Sequence, residues 1–262
     1  MILCVFEGVE REPRIFKTIK RLFFGEGEII ICSFGNNIYE LYRQLQELDG
    51  NGDIVSVLRE NKADGLPVGA KSSDFSEIYL FFDYDFQNEN LVLEEMNRRL
   101  AEMLKLFCDE TDCGKLYVSY PMVESLCYTK ELPDEHFEEY TVSRHDCMER
   151  SFKDLAKEFS YYKSLDFIEL PDAGHHRPGK REYNRVKQNW VLEVRQHVSK
   201  ANTICTGHND LPKDKEDIAQ LKIFDGQCGK YLCDGERIAV LCGFPLFLFE
   251  YFKSDIFDKD VI

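Results

Sequence analysis

Four acidic residues hold most of the chemistry that this sequence offers: Glu7, Asp83, Asp85 and Glu124. Asp83 and Asp85 close the segment IYLFFDYDF at residues 78–86, whose first five residues are aliphatic or aromatic without a break. Such a run reads as a strand buried on both faces. In an extended segment, side chains two residues apart point the same way, so the two carboxylates are expected to converge just beyond the sheet edge. Convergent carboxylates repel one another unless a cation lies between them, and oxygen ligands suit Mg²⁺ or Mn²⁺. The alternative is a polar turn after a buried strand, with each Asp in an ordinary turn role.

Apolar periodicity marks the elements that must position these groups. Residues 1–6 form an apolar run that ends at Glu7-Gly8, and a helix follows from Pro13 through Ile15, Phe16, Ile19, Leu22 and Phe23. A second strand (28–34, EIIICSF) leads to a helix marked by Ile38, Leu41, Tyr42, Leu45 and Leu48, which stops at 49–52. Residues 53–58 read as either a short helix or a strand, and 61–73 as an irregular loop. After the Asp83 strand comes a long amphipathic helix over 90–107, then a fourth strand at 115–119 closed by Tyr120-Pro121. Buried strands alternating with helices predict an α/β fold: a mostly parallel sheet with right-handed crossovers and helices on both faces. Ligands of such open sheets gather at the strand carboxyl ends. Glu7, Asp83, Asp85 and Glu124 all belong to that edge.

Beyond about residue 132 the composition shifts to polar helices broken at Pro133, Pro171, Pro178 and Pro212. This divides the chain into an α/β domain at 1–132 and a mainly helical accessory domain at 133–262. The stretch at 238–252 is the most apolar, but Gly243 and Pro245 interrupt it, and it is read as a buried C-terminal segment.

The 262 residues, 44% of them hydrophobic, suffice for a real core, and the net charge of −15 argues against a membrane-attached protein or one that coats nucleic acid. The N-terminal run is too short for a signal sequence, which leads to the expectation of a cytoplasmic protein without membrane contact. Ten cysteines, with Cys4, Cys32, Cys108 and Cys242 among apolar residues and no CxxC pair, fit buried reduced thiols. Cys205, His208, Cys228 and Cys233 offer zinc ligand types without the tight pairs of common structural zinc sites.

Basic residues are concentrated. Residues 175–200 hold seven Lys or Arg against two Glu, a formal +5 that leaves −20 for the remainder. Arg177, Lys180, Arg181, Arg185 and Lys187 can form a phosphate-tracking face, with Tyr183 and Trp190 as stacking surfaces. The competing reading is a solvated helix whose Trp190 packs into the core. His175 and His176 read as an exposed turn.

Three segments together resemble a known family. EGVEREPRIF at 7–16, FFDYD at 81–85 and SYPMVESL at 119–126 look like the ordered motifs of Toprim domains. They resemble most those of the RloB-like and AriB-like proteins of bacterial defence systems, which are akin to OLD-type nucleases. The resemblance covers about residues 1–130. It implies a metal-dependent endonuclease: Mg²⁺ or Mn²⁺ held by Asp83 and Asp85, Glu7 as ligand or general acid/base, and Glu12 and Glu124 completing a second metal site. Arg11 stands where the commonest Toprim pattern has its second acidic residue, so that role falls to Glu10 or Glu12, with Glu12 favoured. The implied substrate is RNA, tRNA or DNA, the implied setting anti-phage defence, and a partner ATPase is implied for AriB-like proteins. The rival reading is a non-catalytic Toprim-fold subunit that works with such an ATPase.

Overall fold

The computed structural model describes residues 1–25, 27–48, 53–162, 164–171 and 178–258. Five strands build the main sheet: β1 (Ile2–Phe6), β2 (Ile29–Ser33), β3 (Glu77–Asp83), β4 (Cys108–Asp109) and β5 (Gly114–Ser119), in the order β2-β1-β3-β5-β4. The first three and β5 are mutually parallel, as the alternation predicts; β4 is a short antiparallel edge strand.

The crossovers are α1 (Arg11–Phe23) between β1 and β2, α2 (Ile38–Glu47) and α3 (Ile54–Glu60) before β3, and α4 (Leu93–Leu106) after it. Side-chain capping starts two of them: Asn37 accepts from the Glu40 N–H at 3.0 Å and Asp53 from the Ser56 N–H at 2.7 Å. The Asp53 cap makes 54–60 a helix and not a strand.

The second part is mainly helical: α5 (Arg144–Glu149), α6 (Phe152–Phe159), α7 (Lys180–Thr206), α8 (Gln220–Gln227), α9 (Gly243–Phe252) and α10 (Asp255–Asp258). It also holds a two-stranded antiparallel sheet of β6 (Thr141–Ser143) and β7 (Arg237–Ala239). α7 stops at Gly207, whose φ of +84° a residue with a Cβ adopts only with strain.

The helical part closes the sheet. β1 to β2 runs opposite in direction to the later crossovers, so right-handedness places α1 on one face and α2, α3 and α4 on the other. The face of α1 is completed by α9: Phe244 stacks on Phe81 at 4.7 Å and on Phe6 at 6.0 Å, while Phe247 meets Phe16, Tyr79, Phe81 and Tyr117. A Cβ at Gly243 would stand 3.0 Å from that of Tyr117, so glycine lets the helix start this close to β5. Glu250 ion-pairs with Lys115 and accepts from the Tyr117 hydroxyl at 2.8 Å, pinning the other end. One continuous hydrophobic core joins sheet and helices. All ten cysteines are free; Cys4, Cys32 and Cys242 are buried as predicted, but Cys108 is exposed because it falls on the edge strand β4.

α7 carries a buried cation. Lys200 Nζ donates to the carbonyls of Phe137 and Tyr140 at 2.8 and 2.6 Å, and burial pushes its pKa down to about 7. Below that value folded and unfolded chains both hold the proton, and the native state bears the full cost of a buried ammonium. Between about 7 and the unfolded value of 10.5 the unfolded chain holds a proton that the native one has released, so stability rises with pH across this window. Urea denaturation of wild type and Lys200→Met is expected to show a difference that grows in favour of wild type by about 5 kcal/mol over the window. Parallel pH profiles would contradict it.

Candidate metal centre

Three adjacent parallel strands deliver the acids. β1 ends immediately before Glu7, β3 ends on Asp83, and β5 ends at Ser119, the register partner of Asp83. A 3-10 turn, Val123–Cys127, then returns Glu124 to the same edge. Glu7 Oε2 accepts from the Asp83 N–H at 3.0 Å, bridging the ends of β1 and β3. Of the two candidates in the first motif, Glu10 is exposed and precedes α1, whereas Glu12 is buried in its first turn. Gly8 leaves room for the Glu12 carboxylate, which lies 2.4 Å from where a Cβ would be.

The electrostatics bind these groups into one cluster. Burial raises Asp83 well above the usual carboxylate range, and the charges of Glu7, Glu12, Glu124 and Asp85 push it the same way. Glu7 is pushed up to about 8 by burial, opposed by the Asp83 N–H and reinforced by Asp85 and Glu12. Glu12 is raised by burial and by Glu124, against its own N–H, that of Gly8, and Arg11. All five carboxyls therefore stand within electrostatic reach of the cluster.

Two placements differ from the sequence reading. Asp85 does not continue the strand: β3 stops at Asp83, and Asp85 has a φ of +55°, so the two carboxylates are not brought together by strand alternation. A turn presents Asp85 instead. Its carboxylate accepts from Gln87 Nε2 and Asn88 Nδ2, both at 3.1 Å, and its N–H donates to Pro121 O. Glu124 is neither a solvated helix-end Glu nor a free ligand: it is buried and ion-paired through Oε1 with Arg11, 113 residues away in sequence. Its Oε2 is buried without a hydrogen-bond partner.

Carboxylate oxygens are hard donors of the kind Mg²⁺ or Mn²⁺ takes, and Glu124 Oε2 is a buried acceptor without a partner. Among the described residues, no three His, Cys, Asp or Glu stand gathered to hold a metal ion. Glu7, Asp85 and Glu124 are each engaged by another partner.

The basic segment lies elsewhere. Lys180, Arg181 and Arg185 are exposed and Lys187 is half-buried on α7; Arg177, His175 and His176 lie outside the described residues. Tyr183 donates to Arg21 O at 2.8 Å, at the far end of α1 from Arg11, a separation of about 15 Å along the helix. Arg185 reaches further along α1, lining a cleft with Arg14 and Glu169. Trp190 is fully buried and donates through Nε1 to Ile168 O at 2.8 Å, so it anchors α7 and offers no stacking surface; Tyr183 is likewise packed.

Sequence reasoning missed Arg11, Gln87, Asn88 and Arg144. The Asp-Phe-Gln-Asn order held a signal for the amides, since Asn close behind an Asp is turn chemistry. Arg144, at the start of α5, donates to the carbonyls of Asn88 and Leu91 at 3.0 and 3.2 Å and fixes the turn that carries Asp85. No local pattern points to that.

The fold and site thus define an α/β protein with a carboxylate cluster at the carboxyl edge of a mostly parallel sheet. Comparison with family models, curated proteins and solved structures gives no match. No helix among the described residues is long and apolar enough to cross a membrane.

Proposed function

We propose that this chain is a Toprim-type, Mg²⁺-dependent endonuclease that hydrolyses phosphodiester bonds of RNA, tRNA or DNA, with anti-phage defence as its setting. The observation that carries the reading is the convergence of Glu7, Glu12, Asp83, Asp85 and Glu124 from three separate segments onto one edge, with one carboxylate oxygen left buried and unpartnered. Carboxylates so placed are costly without a cation, which is a reason to read them as a binding site. Asp83 and Asp85 would hold the ion, with Glu124 Oε2 and Glu12 beside them. A bound divalent ion supplies neutralisation of phosphate charge and a more acidic water. Glu7, pushed up to about 8, can take or return a proton at Oε1 while Oε2 keeps its bond to the Asp83 N–H.

In this reading Lys180, Arg181, Arg185 and Lys187 contact the substrate away from the scissile bond. Cleavage assays with Mg²⁺ and Mn²⁺ on tRNA, single-stranded and duplex substrates test the activity. The triple reversal of Arg181, Arg185 and Lys187 to Glu is expected to lower cleavage at least about tenfold while sparing Mn²⁺ binding. If it leaves cleavage by the isolated protein intact and abolishes association with a partner ATPase, that face is a docking surface.

One observation favours the second reading, a non-catalytic subunit acting with an ATPase. Among the described residues Glu7, Asp85 and Glu124 are held by an N–H, an amide and a guanidinium, and no three acids are gathered to hold an ion. Absence of cleavage on every substrate, together with stable ATPase association, decides for it.

A further inference from the structure

α9 runs along β5, starting beside Ser119, whose Oγ accepts the Gly243 N–H at 3.3 Å, and ending beside Lys115, which pairs with Glu250. Its last turn therefore lies at the amino edge of the sheet, opposite the acids. A cavity of about 630 Å³ opens there, between the end of α9, α10 and residues 211–216. Pro212, Phe249 and Phe257 form its apolar wall, with the two rings 6.1 Å apart. Lys213, Lys215 and Lys253 line it against the acids Asp214 and Glu216, a locally positive wall on a chain of net charge −15. Lys215 reaches Glu250 at 3.5 Å, but among the described residues Lys213 and Lys253 are exposed and take part in no ion pair. Asp214 is occupied as the cap of the 3-10 turn Lys215–Ile218, where it accepts the Glu216 N–H at 3.2 Å.

Lys253 also holds a strained backbone, with φ +53° and ψ −143°. Its N–H donates to Phe249 O at 2.7 Å and its carbonyl accepts the Ile256 N–H at 3.3 Å, so this residue makes the corner that brings Phe257 back against Phe249. Glycine would make the same corner without strain, but it has no ammonium. Strain of this kind clusters at ligand sites.

We propose that this cavity binds a nucleoside monophosphate, with the base against Phe249 and Phe257 and the phosphate held by Lys213 and Lys253. The volume falls within the range of about 300–1,000 Å³ usual for small-molecule sites, and an apolar wall with a few convergent charges is their usual lining. A phosphomonoester carries a charge of about −1.5 to −2 at pH 7, which two unpaired lysines balance as point charges. The site shares no residue with the acidic edge and needs no metal, so it stands whether or not the chain is a nuclease.

The test is calorimetric titration of the full chain with AMP, GMP, CMP and UMP in EDTA, which leaves the acidic edge no ion to draw phosphate. At least one is expected to bind with a Kd below about 1 mM, and at least about tenfold more tightly than its nucleoside or inorganic phosphate alone. Lys213→Gln and Lys253→Gly are each expected to weaken that binding at least about tenfold, while Lys253→Arg keeps it. Lys253→Gly is expected to melt no lower than wild type, because glycine takes this φ freely, so its lost affinity is not lost folding. Binding of none of the four, equal binding of inorganic phosphate, or unchanged affinity in either lysine variant overturns the assignment.

Discussion

Asp83→Asn is expected to weaken Mn²⁺ binding at least about 100-fold and, at the same time, to stabilise the metal-free protein. The first effect follows from position. Asp83 is the acid on which Glu7, Glu12, Glu124 and Asp85 all act, and if it holds the proposed ion directly its loss should exceed the 10–100-fold effect usual for outer-shell changes. The second follows from burial. A carboxylate there is desolvated and repelled by its neighbours, and an amide of the same shape relieves both penalties, for a gain on the order of 1–3 kcal/mol. Loss of binding with a gain in stability separates a ligand from a merely structural carboxyl, which would lose stability when replaced. Calorimetric titration and urea denaturation of the two proteins measure both halves, and equal Mn²⁺ heats from wild type and variant would sink the assignment.

Residues 1–132 expressed alone are expected not to fold as a monomer. The fragment keeps all five acids and all five strands of the sheet, but it lacks α9, which covers Tyr79, Phe81 and Tyr117 on the α1 face. An aromatic side chain buries 150–250 Å², so uncovering three of them costs several kcal/mol, comparable with the whole stability of a typical domain. The milder form of the experiment is Phe247→Ala in the full chain, with an expected loss of about 3–5 kcal/mol. A dispersed amide spectrum and cooperative melting from a monomeric 1–132 fragment would show that the sheet needs no cover from the helical part.

Much of this arrangement is legible in the chain because local pattern and tertiary role agree. The runs at 2–6, 29–33, 77–83 and 114–119 are apolar on both faces because they lie inside a covered parallel sheet, and each is found within a residue or so of its expected bounds. β4 was not legible: two residues, one Cys and one Asp, carry no periodicity, and their pairing depends on the hairpin that follows. Glu7 and Asp83 could be placed because strand ends place them. Asp85 could not, since one left-handed residue turns its side chain off the strand's alternation. The fate of Glu124 depended on an arginine 113 residues earlier, and that of Trp190 on a carbonyl 22 residues earlier. Ion pairs and anchors of this kind leave no trace in spacing.

The two hydrogen bonds from Arg144 to the carbonyls of Asn88 and Leu91 give the acidic edge an unexpected dependence. Arg144 follows β6 directly, and β6 is held by β7, which leads into α9. A displacement of the small sheet therefore reaches the Asp85 turn through one guanidinium, without passing through any carboxylate. The position of the Asp85 turn is thus tied to the small β6–β7 sheet of the helical part, by contacts that involve none of the acids.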